Sequence, residues 1–169
     1  AGSQDNGTQQ YTAAGINSTN TVSSGDGGFC FIDQNNPNIQ ITSTNYNNYF
    51  VSIDGGNNFN NRYFNNYGSF INPAAYDAQS KKIYAANLVN LAGNINTFLR
   101  WEDPATGGGA TSFVTVPQFS GSKVTNITIS PLTPNRVFFG TQSGAIVQVD
   151  NANSGNFLTG TIIGNLGAS

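Results

Sequence analysis

The chain has 169 residues, which is the usual size of a single domain. Only 8% of its residues are charged, against about 25% in an average globular protein, and the net charge is −2. The six lysines and arginines are scattered, which argues against a nucleic-acid partner, and no apolar run reaches the ~20 residues of a membrane-spanning helix.

Histidine is absent and cysteine occurs once, and both facts restrict the chemistry. Without histidine the chain lacks the commonest general base and the commonest zinc ligand, so that Ser-His and Cys-His catalysis are excluded within it. We therefore predict no metal and no cofactor. The cysteine, Cys30, lies in the apolar run Phe29–Ile32, where we expect a small buried side chain on a strand.

In chain order, residues 1–28 form a short, turn-rich piece, and the segments 29–68, 69–119 and 120–169 then follow one plan. Each of the three contains four short apolar runs separated by turn residues. An aspartate follows the third run every time, at Asp54, Asp103 and Asp150, with spacings of 49 and 47 residues. A four-stranded unit that repeats every 40 to 50 residues is typical of a β-propeller blade.

The prediction is therefore an all-β chain that forms a partial β-propeller. It has about three four-stranded blades, and residues 1–28 are the back part of a preceding blade whose first strand is missing. Closed propellers have roughly four to eight blades. We accordingly expect the ring to be completed by the remaining blades of a longer chain or by a partner subunit.

The most distinctive stretch is Ser52–Phe59, which directly follows the alternating run Tyr49–Ile53. Asp54-Gly55-Gly56 predicts a tight turn, because the carboxylate can accept backbone hydrogen bonds and glycine tolerates positive φ. With Ser52, Asp54, Gly56 and Phe59 in place, the stretch resembles the Asp-box (BNR-type) repeat, Ser-x-Asp-x-Gly-x-x-aromatic.

Asp boxes occur in the propellers of sialidases, xyloglucanases, sortilin-type receptors and many secreted bacterial proteins. The resemblance implies that these four residues build the turn between the third and fourth strands of a blade, away from any central pocket. Asp103 and Asp150 then belong to degenerate copies. Together with the low charge and the abundant Asn, Gly and Thr, it implies an extracellular or cell-surface protein, of bacterial origin.

The catalytic candidates are weak. Glycoside hydrolysis needs two carboxylates at a defined separation, and most acids here stand at ordinary strand ends. Asp5 and Asp26 lie instead in Gly-rich loops outside the repeated turns, although turn formation explains them as well. Arg62, Arg100 and Arg136 occupy different strand positions, so the arginine cluster of a sialidase is not evident.

Aromatic residues suggest a second kind of site. Trp101 could stack on a sugar ring, as could four tyrosines at positions 46, 49, 63 and 67, but packing between blades explains Trp101 equally well. The sequence thus favours a non-catalytic propeller module that recognises a protein or a glycan. The alternative is a fragment of a propeller-fold glycoside hydrolase that acts on polysaccharide.

Overall fold

The computed structural model describes residues 1–88, 96–107 and 109–167, and this part of the chain is almost entirely β-structure. It contains four antiparallel sheets, within each of which the strands lie in sequence order. The first sheet has three strands and each of the others has four. The prediction of an all-β partial propeller, with three four-stranded blades and the remnant of another, is therefore confirmed.

The first sheet consists of β1 (Gly2–Ser3), β2 (Gly7–Gln10) and β3 (Asn20–Ser23). The second consists of β4 (Cys30–Ile32), β5 (Gln40–Ser43), β6 (Tyr49–Ser52) and β7 (Asn60–Tyr63). The third consists of β8 (Ala74–Asp77), β9 (Lys82–Ala86), β10 (Thr97–Glu102) and β11 (Thr111–Thr115). The fourth consists of β12 (Val124–Ile129), β13 (Val137–Thr141), β14 (Ala145–Val149) and β15 (Thr161–Asn165).

Because the strands alternate in direction, their connections fall at two opposite ends of the sheets. We call one end the upper rim: it carries the β1–β2, β5–β6, β9–β10 and β13–β14 connections and the crossings from each sheet to the next. The lower rim carries the other connections, which include Ser52–Phe59 between β6 and β7. The candidate functional residues are divided between these two opposite rims.

The hydrophobic core lies between the sheets, because the period of two along a strand sends neighbouring side chains to opposite faces. In β9, Ile83 packs toward the second sheet and Tyr84 toward the fourth; in β10, Leu99 and Phe98 divide in the same way. The third sheet is thus buried on both faces. Its central strands are accordingly buried along most of their length, and all five residues from Thr97 to Trp101 are buried, Arg100 among them.

The lower rim repeats one turn at the end of the first strand of each four-stranded sheet. Asp33 Oδ1 accepts the amides of the second and third residues after it, at 2.7 and 3.0 Å. Asp77 Oδ1 does the same at 2.9 and 3.3 Å, and Ser130 Oγ at 3.3 and 3.0 Å. A short side chain that satisfies its own turn is the role expected of Asp and Ser at such positions.

Lower-rim side chains also tie one sheet to the next. Gln10, at the end of β2, donates to Gly56 O at 3.2 Å. Arg100, in β10, donates to Ala152 O at 3.1 Å and to Gly155 O at 2.7 Å, both in the β14–β15 connection. A long polar side chain of one sheet therefore holds a turn of its neighbour.

Cys30 departs from the sequence-based expectation, because it is exposed rather than buried. Phe31 packs toward the core between the second and third sheets, so its neighbours Cys30 and Ile32 face the other way. On that side the first and second sheets leave an open cleft.

Candidate functional site

The structure brings Asp5 and Asp26 together at the upper rim. The backbone N–H of Asp5 donates to Asp26 Oδ1 at 2.9 Å, and Asn45 Nδ2 donates to Asp26 Oδ2 at 2.9 Å. Asp26 thereby joins the β1–β2 connection, the crossing from the first sheet to the second, and the β5–β6 connection. Sequence reasoning singled out both acids but gave no sign of Asn45.

Asp26 is held in its ionised form. The hydrogen bond from the Asn45 side chain and that from the Asp5 amide hold the pKa of Asp26 below its usual value, and the residue is half-buried. A glycosidase acid needs the opposite, a raised pKa that keeps a proton available at neutral pH. The geometry gives Asp26 the role of a loop organiser.

The Ser52–Phe59 segment forms a turn between β6 and β7 at the lower rim, on the opposite end of the sheets from Asp26. Ser52 Oγ donates to Asp54 Oδ1 at 2.7 Å and accepts the Gly56 amide at 2.9 Å. Asp54 also accepts the amide and the side chain of Asn58 at 3.0 and 2.7 Å. Gly56 has φ +87°, a conformation that suits glycine.

Asp103 and Asp150, which follow the third strands of the third and fourth sheets, make different contacts from Asp54. Asp150 accepts from Arg136 Nη2 and from Gln148 Nε2, both at 3.1 Å, and Asp103 makes no side-chain capping bond to its 3₁₀ turn, Pro104–Thr106. The three aspartates therefore share a position in the repeat, but the hydrogen-bond network of Asp54 is not reproduced at the other two.

The Asp54 network makes stability depend on pH in the acid range. Hydrogen bonds from Asn58 and then from Ser52 lower the pKa of Asp54 to about 2. A depressed folded-state pKa stabilises the fold above the unfolded-state value of about 3.9, and this contribution is lost as the pH falls toward 2. We expect the unfolding temperature of Asp54→Asn to fall below that of the wild type at pH 6, and the difference to shrink between pH 4 and pH 2.

Differential scanning calorimetry at several pH values would measure this difference. The matched control is Asp103→Asn, since Asp103 occupies the same place in the repeat but its side chain makes no capping bond to its turn. A gap between wild type and Asp54→Asn that is constant down to pH 2 would contradict the prediction.

An asparagine network fixes the upper rim between the second and third sheets. Asn72 Nδ2 donates to Asn47 Oδ1 at 2.7 Å and to Ala86 O at 2.9 Å, and Asn47 Nδ2 donates to Ala86 O at 3.2 Å. Tyr49 Oη adds a bond to Asn47 Oδ1 at 3.2 Å. Both asparagines are buried, so their paired amides hold the loops without leaving polar groups unsatisfied.

This network supports an exposed aromatic pair. Tyr46 and Phe70 are 38% and 49% exposed, and their rings meet edge to face with centroids 6.5 Å apart. Tyr46 has φ +61°, in the left-handed region that a bulky side chain rarely adopts, and its amide donates to Phe70 O at 3.0 Å. Such backbone strain persists only where the surroundings impose it, and it concentrates at functional sites.

The other aromatic candidates are covered to different extents. Trp101 is 1% exposed and packs against Tyr49 and Tyr63, with ring centroids 6.0 and 5.4 Å away. Its ring is therefore not open to a ligand, and packing between sheets, the alternative raised from the sequence, describes its environment. Tyr49 is fully buried, Tyr63 is half-buried, and Tyr67 lies half-buried near Phe113. Among the four candidate tyrosines, Tyr46 is the most exposed, whereas nothing in the sequence indicated Phe70 as a candidate.

The arginines do not converge on one site. Arg62 lies against Gly107, and Arg136 Nη2 binds Asp150 Oδ2 at 3.1 Å. Arg100 binds the β14–β15 connection and Glu102, whose Oε1 accepts Arg100 Nε at 2.8 Å. An arginine cluster for an anionic sugar is thus absent from the described residues.

The described residues contain neither a metal-binding cluster nor a membrane-spanning helix. Within 1–88, 96–107 and 109–167, histidine, cysteine, aspartate and glutamate nowhere form a group of three or more that could hold a metal ion. In the same part of the chain, no helix is long and apolar enough to cross a membrane.

Comparison with known proteins identifies the fold and no more. No family model matches the chain, and no curated protein does. A chain of the mitotic checkpoint complex matches at 15% identity and a TM-score of 0.58, over 86% of this chain and 42% of that one. An ancestral GH74 enzyme matches at 15% identity and a TM-score of 0.55, over 83% of this chain and 19% of its own.

A third match is YCF48 from Cyanidioschyzon merolae, at 15% identity and a TM-score of 0.47, over 75% of this chain and 42% of that one. The mitotic checkpoint chain and the GH74 enzyme contain β-propellers, which agrees with the sheet order described above. This chain spans less than half the length of each.

Proposed function

We propose that the chain is a non-catalytic propeller module that recognises a protein or a glycan through its upper rim. The observation that carries this proposal is the exposed Tyr46–Phe70 pair, held in place by the buried Asn47–Asn72 network. A rigid loop binds with a smaller entropic penalty than a mobile one, and an aromatic anchor is the commonest centre of a recognition surface. The strained backbone of Tyr46 supports the same role.

The wider setting of the module is also a proposal. We place it in an extracellular or cell-surface protein of a bacterium, as part of an Asp-box propeller that further blades or a partner subunit complete. The Ser52–Phe59 turn and the low charge support this placement. The partial coverage of the longer propeller proteins is compatible with such completion.

The alternative function is a fragment of a propeller-fold glycoside hydrolase. It is favoured by one observation, the side-by-side placement of Asp5 and Asp26. It is disfavoured by the lowered pKa of Asp26 and by the engagement of both its oxygens in hydrogen bonds.

Binding of the wild-type chain to glycan and protein arrays would test the proposal, with the Tyr46→Asn variant as the probe of the rim. Asparagine tolerates the left-handed conformation, so this change removes the ring and retains the backbone. We expect a loss of about 30-fold in affinity, the effect of removing an aromatic anchor worth about 2 kcal/mol.

The matched control is Phe157→Ala, which removes a ring that is 69% exposed in the lower-rim β14–β15 connection. This variant should bind as the wild type does. Equal binding by Tyr46→Asn and the wild type would refute the rim as the recognition surface. Release of reducing ends from a polysaccharide by the wild type, lost in Asp26→Asn, would establish the hydrolase instead.

A further inference from the structure

An open cleft of about 470 Å³ lies between the first and second sheets. Its walls are formed by β2 and the residues after it on one side and by β4, β5 and the Ser52–Phe59 turn on the other. The volume falls in the range of about 300–1,000 Å³ that is typical of small-molecule sites. Neither Asp26 nor Tyr46 lines this cleft, which makes it distinct from the upper-rim surface.

Two threonines in the walls have unsatisfied hydroxyl groups. Thr8 and Thr42 are 3% and 4% exposed, and neither Oγ1 atom has a hydrogen-bond partner within the described residues. A buried hydroxyl without a partner costs free energy, and such groups are rare unless a ligand or an ordered water completes them. Each of the two sheets places one such hydroxyl group beside the same cleft. This arrangement indicates that a molecule bound in the cleft supplies the missing hydrogen bonds.

The rest of the lining defines the chemistry of this occupant. None of the lining side chains is charged, and the α-ammonium group of Ala1 donates to Gln9 O, so a charged ligand would gain no ion pair with a side chain there and would lose its hydration. Aromatic rings are provided by Tyr11 and Phe59, and amide groups by glutamines that include Gln10 and Gln40. Ring faces pack on the C–H faces of a sugar, while amides and hydroxyls bind its hydroxyl groups.

We propose that the cleft between the first and second sheets binds a neutral sugar residue, whose hydroxyl groups pair with Thr8 and Thr42. Tyr11, which is 62% exposed, forms the outer aromatic wall. This site is additional to the Tyr46 rim, and the two proposals stand or fall separately.

Saturation-transfer NMR and calorimetric titration with xylotriose and cellotriose would test the site, with trigalacturonate as the charged counterpart. We expect binding of a neutral trisaccharide and none of trigalacturonate. Thr8→Val and Thr42→Val, which keep the shape and remove the hydroxyl, should each weaken binding about five- to tenfold. Tyr11→Ala should weaken it further, while Phe157→Ala, in the β14–β15 connection, should leave it unchanged.

Thermal unfolding distinguishes ligand binding by the Thr8 and Thr42 hydroxyl groups from a structural role of these groups. Since the two hydroxyls lack partners in the protein, Thr8→Val and Thr42→Val should not lower the unfolding temperature. The matched control is Thr141→Val, because Thr141 Oγ1 is buried and exchanges hydrogen bonds of 3.1 Å with Ala145 N and O. This control should unfold at a lower temperature than the wild type.

Three results would overturn the proposal. The first is the absence of saturation transfer to every neutral sugar tested. The second is sugar binding that survives the three cleft variants or disappears in Phe157→Ala. The third is destabilisation by Thr8→Val and Thr42→Val equal to that by Thr141→Val, which would mean that ordered water already satisfies both hydroxyls.

Discussion

Arg100→Met should lower the free energy of unfolding by about 3 kcal/mol. The Arg100 guanidinium is nearly inaccessible, at 5% exposure, and donates to two carbonyl oxygens of the neighbouring sheet and to Glu102. Methionine fills much of the same volume but leaves those carbonyls without a donor. Loss of one partner from a buried charged network costs about 3–5 kcal/mol, and we expect the lower value because Lys82 remains paired with Glu102.

Urea denaturation followed by circular dichroism would measure this change as a shift in midpoint. Arg136→Met is the matched control, because Arg136 also pairs with an aspartate but lies at the surface, where ion pairs contribute little. Equal midpoint shifts for the two variants would show that the tie between the third and fourth sheets does not stabilise the fold.

Trp101→Ala should destabilise the chain by about 3–5 kcal/mol, the usual result of removing a large aromatic side chain from a core. Its ring packs against Tyr49 and Tyr63 in the space between the second and third sheets. Truncation to alanine therefore leaves a cavity where the Trp101 ring lies in the wild type. Trp101→Phe should cost less, since it retains most of the packing.

Circular dichroism is the appropriate probe, because this is the one tryptophan of the sequence and its fluorescence disappears with the substitution. Phe157→Ala serves as the control for loss of an exposed ring and should stay within about 0.5 kcal/mol of the wild type. A stable Trp101→Ala variant that loses sugar binding would instead assign Trp101 to a ligand site.

The architecture could be predicted from the sequence because turn residues mark each blade locally and their regular spacing shows that the blades repeat. Each blade shows its turns by residue type, and the spacings of 49 and 47 residues between Asp54, Asp103 and Asp150 indicated the register of the repeat. The structure added a second repeated turn, at Asp33, Asp77 and Ser130.

The candidate site was predictable only in part, because it depends on contacts between distant positions. Asp5 and Asp26 stood out by their loops, but the bond from Asn45 to Asp26 joins residues that only the packing of two sheets brings together. The conformation of Tyr46 is imposed by neighbours rather than by its own preference, so no local pattern reveals it. Exposure of Cys30 escaped prediction because an apolar run does not show which face remains uncovered.

The repeated strand-end turns of the lower rim have an evolutionary consequence. Asp33, Asp77 and Ser130 each close a turn with their own side chain, and Asp33 Oδ2 also accepts the Tyr76 hydroxyl of the third sheet at 2.6 Å. These contacts lie at the lower rim, so substitutions on the upper rim can accumulate without disturbing them. The separation of the two rims allows upper-rim loops to acquire a new specificity while the lower-rim ties between blades are kept.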